Sequence, residues 1–221
     1  SMPTLIRKYL RYDGKELTEL DISNSQPAMY GGLLTKLNEY TKQELKEFLR
    51  MVDSLPQKKG KKMRTIRTDE EYRKKYQREN TCDSDYEKNL ESRAEAIQEA
   101  LRDAEGIQKY KDDVASGRFY EIIMKNLEME PEQRGEVKTA VLKAFYQRVT
   151  SELSPEGKAI KELYRSAYAI MDLIKAETHA AAAIAMQRQE SKTLQSESFK
   201  QMNAITIHDA ILVTEDRASR A

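Results

Sequence analysis

Residues 17–26 read Leu17-Thr18-Glu19-Leu20-Asp21-Ile22-Ser23-Asn24-Ser25-Gln26, a strand-like run that carries an aspartate and then breaks into a polar tail. A second run near the other end, Ala204-Ile205-Thr206-Ile207-His208-Asp209-Ala210-Ile211-Leu212-Val213, holds Asp209 in the same kind of setting. An aspartate inside a buried strand is costly unless its charge is paired or holds a cation. Two of them on neighbouring strands suit a divalent pair, which activates one oxygen and stabilises another in phosphoryl transfer. Taken singly, each is explained as well by a turn cap or a wet sheet edge. The residues between them decide.

Residues 5–12 and 16–22 are β-rich and flank Asp13-Gly14-Lys15, which predicts a hairpin. Pro27 and Gly31-Gly32 follow and turn the chain into a helix. Thr41 with Glu44 three residues on forms a capping box for a charged helix that stops before Pro56. Residues 58–67 hold six basic residues and no acid, a run read either as a solvated loop or as a phosphate contact through Lys58, Lys59, Lys61 and Lys62. Between 69 and 111, Leu90, Ala94, Ile97 and Leu101 recur at helical spacing, which predicts an amphipathic helix or helical hairpin. The whole of 41–111 reads as a charged, lightly packed helical insertion. Residues 112–127 turn into a helix with an apolar face, and Pro131 opens the next, running to about Ser151. From Pro155 to 201 the helical pattern is continuous, with a break near Glu177-Thr178. Residues 204–214 form a tight hairpin bent at His208-Asp209. The order of strands, many helices, then strands gives an α+β fold in which both chain ends meet in one small antiparallel sheet.

Composition narrows the classes. Lys and Arg (38) nearly cancel Asp and Glu (37), which argues against a globally basic nucleic-acid coat protein but leaves room for a local basic groove. One cysteine, Cys82, rules out a disulfide scaffold within the chain and fits a reducing, cytoplasmic compartment. No apolar run approaches the roughly 20 residues of a membrane span. Ser1-Met2 reads as the scar of a cleaved tag, so the chain is expected to be a fragment of a larger protein.

In the helix from Pro131, Arg134, Lys138, Leu142 and Tyr146 follow one another at four-residue spacing. That spacing stacks side chains along one helix face. A cationic pair one turn apart suits the charge of a triphosphate, and an aromatic two turns on suits a base. A surface stripe ending in a core tyrosine has the same spacing.

The joint order of these signatures resembles the family A DNA polymerases, the single-subunit group that includes bacterial repair polymerases and related phage enzymes. Their first palm motif is an Asp-x-Ser strand end followed closely by Gln, as in Asp21-Ile22-Ser23-Asn24-Ser25-Gln26. Their fingers helix carries Arg, Lys four later and Tyr eight after that, as do Arg134, Lys138 and Tyr146. A Met-Gln pair precedes the last motif, here Met186-Gln187, and that motif is His-Asp in a hairpin, here His208-Asp209. With Asp-Ile-Ser-Asn-Ser-Gln-Pro and Gln-x-x-Glu-Ser (Gln187 to Ser191), the chain looks like the divergent, shortened polymerases of phages and mobile elements. The resemblance covers residues 5–35 and 112–214.

The resemblance implies a palm-like sheet with a helical fingers-like region: 1–40 the first part of the palm, 41–111 the insertion, 112–153 the fingers-like helices, 154–221 the long helix and final palm hairpin. It implies template-directed nucleotidyl transfer with two magnesium ions, or manganese in their place, on Asp21, Asp209 and the backbone carbonyl of Ile22. Arg134 and Lys138 would hold the nucleoside triphosphate, Tyr146 and Gln26 would lie by the incoming nucleotide and templating base, and Gln187 and His208 would touch primer-template DNA. Ala210 stands where the family usually has an acid, Leu142 where it has Phe, and Gln26 where a Glu helps exclude ribonucleotides. Glu190, a turn beyond Gln187, is a candidate for the missing acid. The rival readings are a non-catalytic DNA-binding replication or recombination module that keeps the palm fold, and a helical interaction protein in which the motifs are accidental.

Overall fold

The computed structural model describes residues 9–21, 24–54, 84–194, 205–207 and 210–214. Ile22, Lys58, Lys59, Lys61, Lys62, His208 and Asp209 lie outside the described residues, as do residues 5–8 of the first predicted strand.

Strands β1 (Arg11–Tyr12) and β2 (Lys15–Asp21) pair antiparallel, with Tyr12 opposite Lys15. Only Asp13 and Gly14 connect them, at φ 50° and 74°. Two consecutive left-handed residues twist the link to match the right-handed twist of the strands, and Asp-Gly tolerates that backbone best. On the other side of β2 lies β4 (Ala210–Thr214), followed by β3 (Ile205–Ile207), giving the order β1-β2-β4-β3. The sheet is therefore built from both ends of the chain. β3 and β4 pair antiparallel, with Ile207 opposite Ala210.

Nine described helices fill the interval: α1 (Ser25–Asn38), α2 (Lys42–Asp53), α3 (Ser84–Leu101), α4 (Ala104–Ala115), α5 (Phe119–Asn126), α6 (Arg134–Tyr146), α7 (Pro155–Leu163), α8 (Arg165–Lys175) and α9 (Ala181–Leu194). The fold is mostly helical with a small antiparallel sheet, in keeping with the α+β expectation. The capping box forms as read: the Thr41 hydroxyl accepts from the Glu44 amide, the Glu44 carboxylate accepts from the Thr41 amide, and α2 ends at Asp53.

Several boundaries differ from the sequence reading. Gly31 and Gly32 do not turn the chain; they lie inside α1, which begins at Ser25. A 3-10 turn over Pro131–Gln133 leads into α6, which stops at Tyr146 rather than near Ser151. The helical pattern from Pro155 breaks twice, at the expected 176–180 and also at Tyr164. No proline or glycine marks the second break. Tyr164 is instead drawn inward: it is 1% exposed, its ring stacks on Phe119 with centroids 5.4 Å apart, and its hydroxyl donates to Asp113 at 3.0 Å.

The described part of the charged segment, residues 41–54 and 84–111, is packed into the core rather than lightly packed. Leu45, Leu49 and Val52 of α2 and Leu90, Ala94 and Ile97 of α3 are all 0% exposed and belong to the same core as residues of α1 and α4–α9. Across the outside of the α2–α3 pair, Lys42 meets Glu91 and Glu95, Lys46 meets Glu91 and Glu87, and Arg50 meets Glu87. Four-residue spacing on both helices sets these charges opposite each other. Hydrogen bonds from Lys42 and Lys46 hold the Glu91 carboxyl down at about 2.

A different pair lies inside. Arg93 and Asp53, each with a side chain only 5% exposed, meet at 2.7 Å, and the guanidinium also donates to the Leu173 carbonyl of α8 at 3.0 Å. Leaving one member of such a pair buried alone typically costs about 3–5 kcal/mol, whereas apolar replacement of both is often close to neutral. Asp53→Ala should therefore lower unfolding free energy by about that amount, and Asp53→Leu/Arg93→Met by much less. Urea denaturation checks both; equal losses would mean that the pair acts through packing alone.

Tyrosines hold the centre. Tyr30 donates to the Ala167 carbonyl at 2.5 Å and Tyr110 to the Pro27 carbonyl at 3.0 Å, and their rings meet edge to face at 5.5 Å. Burial raises both phenols well above their ordinary range. A group whose folded-state value is raised stabilises fully below its unfolded value and loses that contribution as pH rises past it. Stability should thus hold up to about pH 10, the ordinary tyrosine value, and fall above it. Tyrosinate absorbance should show a class of tyrosines that ionise only as the protein unfolds; a single titration near pH 10 with the fold intact would contradict the buried cluster.

Candidate functional site

β2 ends at Asp21, directly opposite Ala210 in the ladder with β4. The sequence neighbour of Ala210 is Asp209, the other aspartate of the paired signatures. Asp21 is described by its backbone, and Ile22, His208 and Asp209 are outside the described residues. Among the described residues, no group of three or more His, Cys, Asp or Glu gathers to hold a metal ion.

Three residues beyond Asp21 the chain is in the left-handed region, at Asn24 with φ 55°. Asparagine tolerates that backbone better than most residues. It releases the chain from the strand into α1: the Asn24 carbonyl accepts the first helical bond, from Ala28 at 2.8 Å. The Asn24 side chain does not cap the helix, and its buried amide nitrogen has no acceptor among the described residues. An unsatisfied buried donor carries a desolvation penalty of about 1–3 kcal/mol, which a ligand oxygen would offset. The sequence reading passed over Asn24; its signal was its place in the polar tail after Asp21.

Gln26 follows on the first turn of α1, and its side-chain oxygen accepts a short hydrogen bond from the hydroxyl of Tyr146, the last residue of α6. Two residues singled out for the same site thus meet, although 120 positions separate them. Burial first, then the negative charge of Glu190 on α9, pushes the Tyr146 phenol up to about 12. Tyr146 is therefore a neutral donor at physiological pH. Gly32 of α1 is neighboured by Gln189 of α9, so α1, α6 and α9 converge beside Tyr146.

The cations stand apart from this junction. At about 1.5 Å per residue, Arg134 is roughly 18 Å along α6 from Tyr146. Each four-residue step also rotates by about 40° beyond a full turn, so three steps carry the stripe some 120° around the helix. The four residues do not share one environment: Arg134 and Lys138 are exposed, Leu142 and Tyr146 half-buried. Arg134 donates to Glu121 of α5 at 2.6 Å and lies over the Tyr120 ring at 5.2 Å. Burial pushes the Glu121 carboxyl up, but the hydrogen bond from Arg134, one from its own backbone amide and the Arg134 charge together leave the group below its ordinary value. Tyr120 and Glu121 were not foreseen, because nothing in the sequence links one helix face to another across a turn. Gln187 is exposed on α9 beside the buried Met186. No helix among the described residues is long and apolar enough to cross a membrane.

Comparison with family models, curated proteins and solved structures finds no match.

The Gln26–Tyr146 contact gives a test of the junction. Tyr146→Phe should cost about 0.5–1.5 kcal/mol, the net worth of one hydrogen bond. Adding Gln26→Ala should then cost less than Gln26→Ala does in the native background, because the two residues share that bond. Strict additivity in denaturant unfolding would show that the contact contributes nothing.

Proposed function

We propose that this chain carries out template-directed nucleotidyl transfer as a compact palm-and-fingers polymerase of the family A type, working on primer-template DNA. The observation that carries the reading is the Gln26–Tyr146 hydrogen bond, which ties the turn after Asp21 to the end of the helix bearing Arg134 and Lys138. Support also comes from the ladder, in which Asp21 faces the residue next to Asp209.

In this reading Asp21, Asp209 and the Ile22 carbonyl hold two magnesium ions, a donor set of hard oxygens that suits magnesium together with substrate phosphates and water. The bound ions supply Lewis-acid stabilisation of the attacking and leaving oxygens. Lys138, exposed on α6, offers a point charge to the triphosphate, where negative charge spreads as the bond breaks. Arg134 joins it by leaving Glu121. Tyr146, fixed by Gln26, presents its ring to the base pair being formed and stays protonated while doing so. Gln187 and His208 contact the primer-template.

Lys138→Ala should lower kcat/KM for the nucleotide by about two orders of magnitude, the scale of removing one charge-stabilising donor, while leaving template affinity unchanged. Asp21→Asn should abolish magnesium-dependent extension of a primed template. Equal loss of DNA affinity and nucleotide use in Lys138→Ala would make it a general phosphate contact. DNA binding by the native chain without extension would favour the non-catalytic DNA-binding module.

A further inference from the structure

At the far end of α6 from Arg134, residues 147–153 and the first turns of α7 border a cleft of about 240 Å³ against α8. Arg148, Lys158, Lys161 and Lys175 line it, and Asp172 is the one carboxylate among its lining residues. Lys175 is 2% exposed although it lines the cleft. Its ammonium donates to the Ala144 carbonyl at 3.1 Å and pairs with Asp172 at 3.2 Å. An ammonium has three donors. The third has no acceptor among the described residues.

Charge in the cleft is under-neutralised. Asp172 is shared, since Lys161 reaches its other oxygen at 3.7 Å. The Tyr168 ring is shared as well, 5.5 Å from the Lys175 nitrogen and 5.6 Å from that of Lys161. Arg148 and Lys158 are exposed at the rim, and neither forms an ion pair with a described residue. Burial lowers the pKa of Lys175, the expected result when an ammonium is taken out of water with too little negative charge beside it. Stapling α8 to the Ala144 carbonyl accounts for one bond of Lys175. It does not account for the other three cations around the same space. The volume is below the roughly 300–1,000 Å³ of sites for drug-sized ligands, so the cleft suits a small anion.

We propose that this cleft is a phosphate-binding site, taking one phosphate or pyrophosphate group with Lys175 at its floor and Arg148, Lys158 and Lys161 around it. Tetrahedral oxyanions accept several charge-assisted hydrogen bonds at once, which is what converging Arg and Lys side chains offer. The phosphate comes either from a nucleic-acid backbone or from the free anion. The site is separate from the polymerase reading and stands without it.

Calorimetric titration of the full chain with sodium pyrophosphate in EDTA, at matched ionic strength, tests the proposal, since without divalent ions the triphosphate site of the polymerase reading lacks the metals it depends on. The native chain should bind one equivalent with Kd on the order of 1 mM or tighter. Lys158→Ala and Arg148→Ala, both at exposed positions, should each weaken binding by about tenfold, and Lys125→Ala, an exposed lysine outside the cleft, should leave it unchanged. Lys175→Met should abolish it; should that variant fail to fold, the two rim variants decide. A single-stranded oligothymidylate that displaces pyrophosphate marks a backbone phosphate as the ligand, and failure to displace marks the free anion. Absence of saturable heat in the native chain, or equal weakening by Lys125→Ala, overturns the site.

Discussion

Strand β2 pairs with β4 from Leu17 opposite Thr214 to Asp21 opposite Ala210. These two strands belong to opposite ends of the chain, so the ladder closes one long loop that contains every described helix. Closure on this scale is affordable because its entropic cost grows only with the logarithm of loop length. Its register decides which residue of one chain end meets which of the other. A slip of one residue would turn every β2 side chain to the other face and take Asp21 out of register with Ala210. Leu212 and Val213 of β4, buried at 2% and 0% exposure, lie on opposite faces of the ladder, so this part of β4 is covered on both sides.

The helices meet a second constraint, which is how a chain so rich in charge builds a core at all. α2 and α3 solve it by separating their faces. Leu45, Leu49 and Val52 look inward with Leu90, Ala94 and Ile97, while Lys42, Lys46 and Arg50 face Glu95, Glu91 and Glu87 outside. These surface pairs, with the glutamates 42–61% exposed, add little stability singly. Arg93 does the opposite. It takes its charge inside, where Asp53 and the carbonyls of Leu173 and Ile174 satisfy the guanidinium and join α2 and α3 to the end of α8.

What the sequence made legible was local chemistry. Asp13-Gly14-Lys15 marked a hairpin, of which the turn proper is Asp13 and Gly14, Thr41 with Glu44 marked a helix start, and the Leu90–Ala94–Ile97 spacing marked a buried face. Each depends on residues within a turn or two of one another. The misreadings have a common origin in distant partners. The break at Tyr164 depends on Phe119 and Asp113, and the packing of the charged segment on pairings between residues some forty positions apart, as Asp53 is from Arg93. The even spacing from Arg134 to Tyr146 misled for another reason: four residues exceed one helical turn, so a long stripe drifts from solvent into the core. At the candidate site the sequence named Gln26 and Tyr146, which meet, but held no clue to Glu121 beside Arg134.

That last pairing gives the junction a mechanical consequence. Tyr146 is anchored at one end of α6 by Gln26, whereas Arg134 at the other end is tied to α5 by an exposed ion pair with side chains 48% and 43% exposed. Exposed pairs of this kind are worth at most about 1 kcal/mol, so a polyanion offers Arg134 a stronger partner than Glu121 does. The Arg134 side chain is therefore easily released from Glu121, while Val137, Val141, Ala144 and Phe145, all buried, keep α6 itself seated in the core.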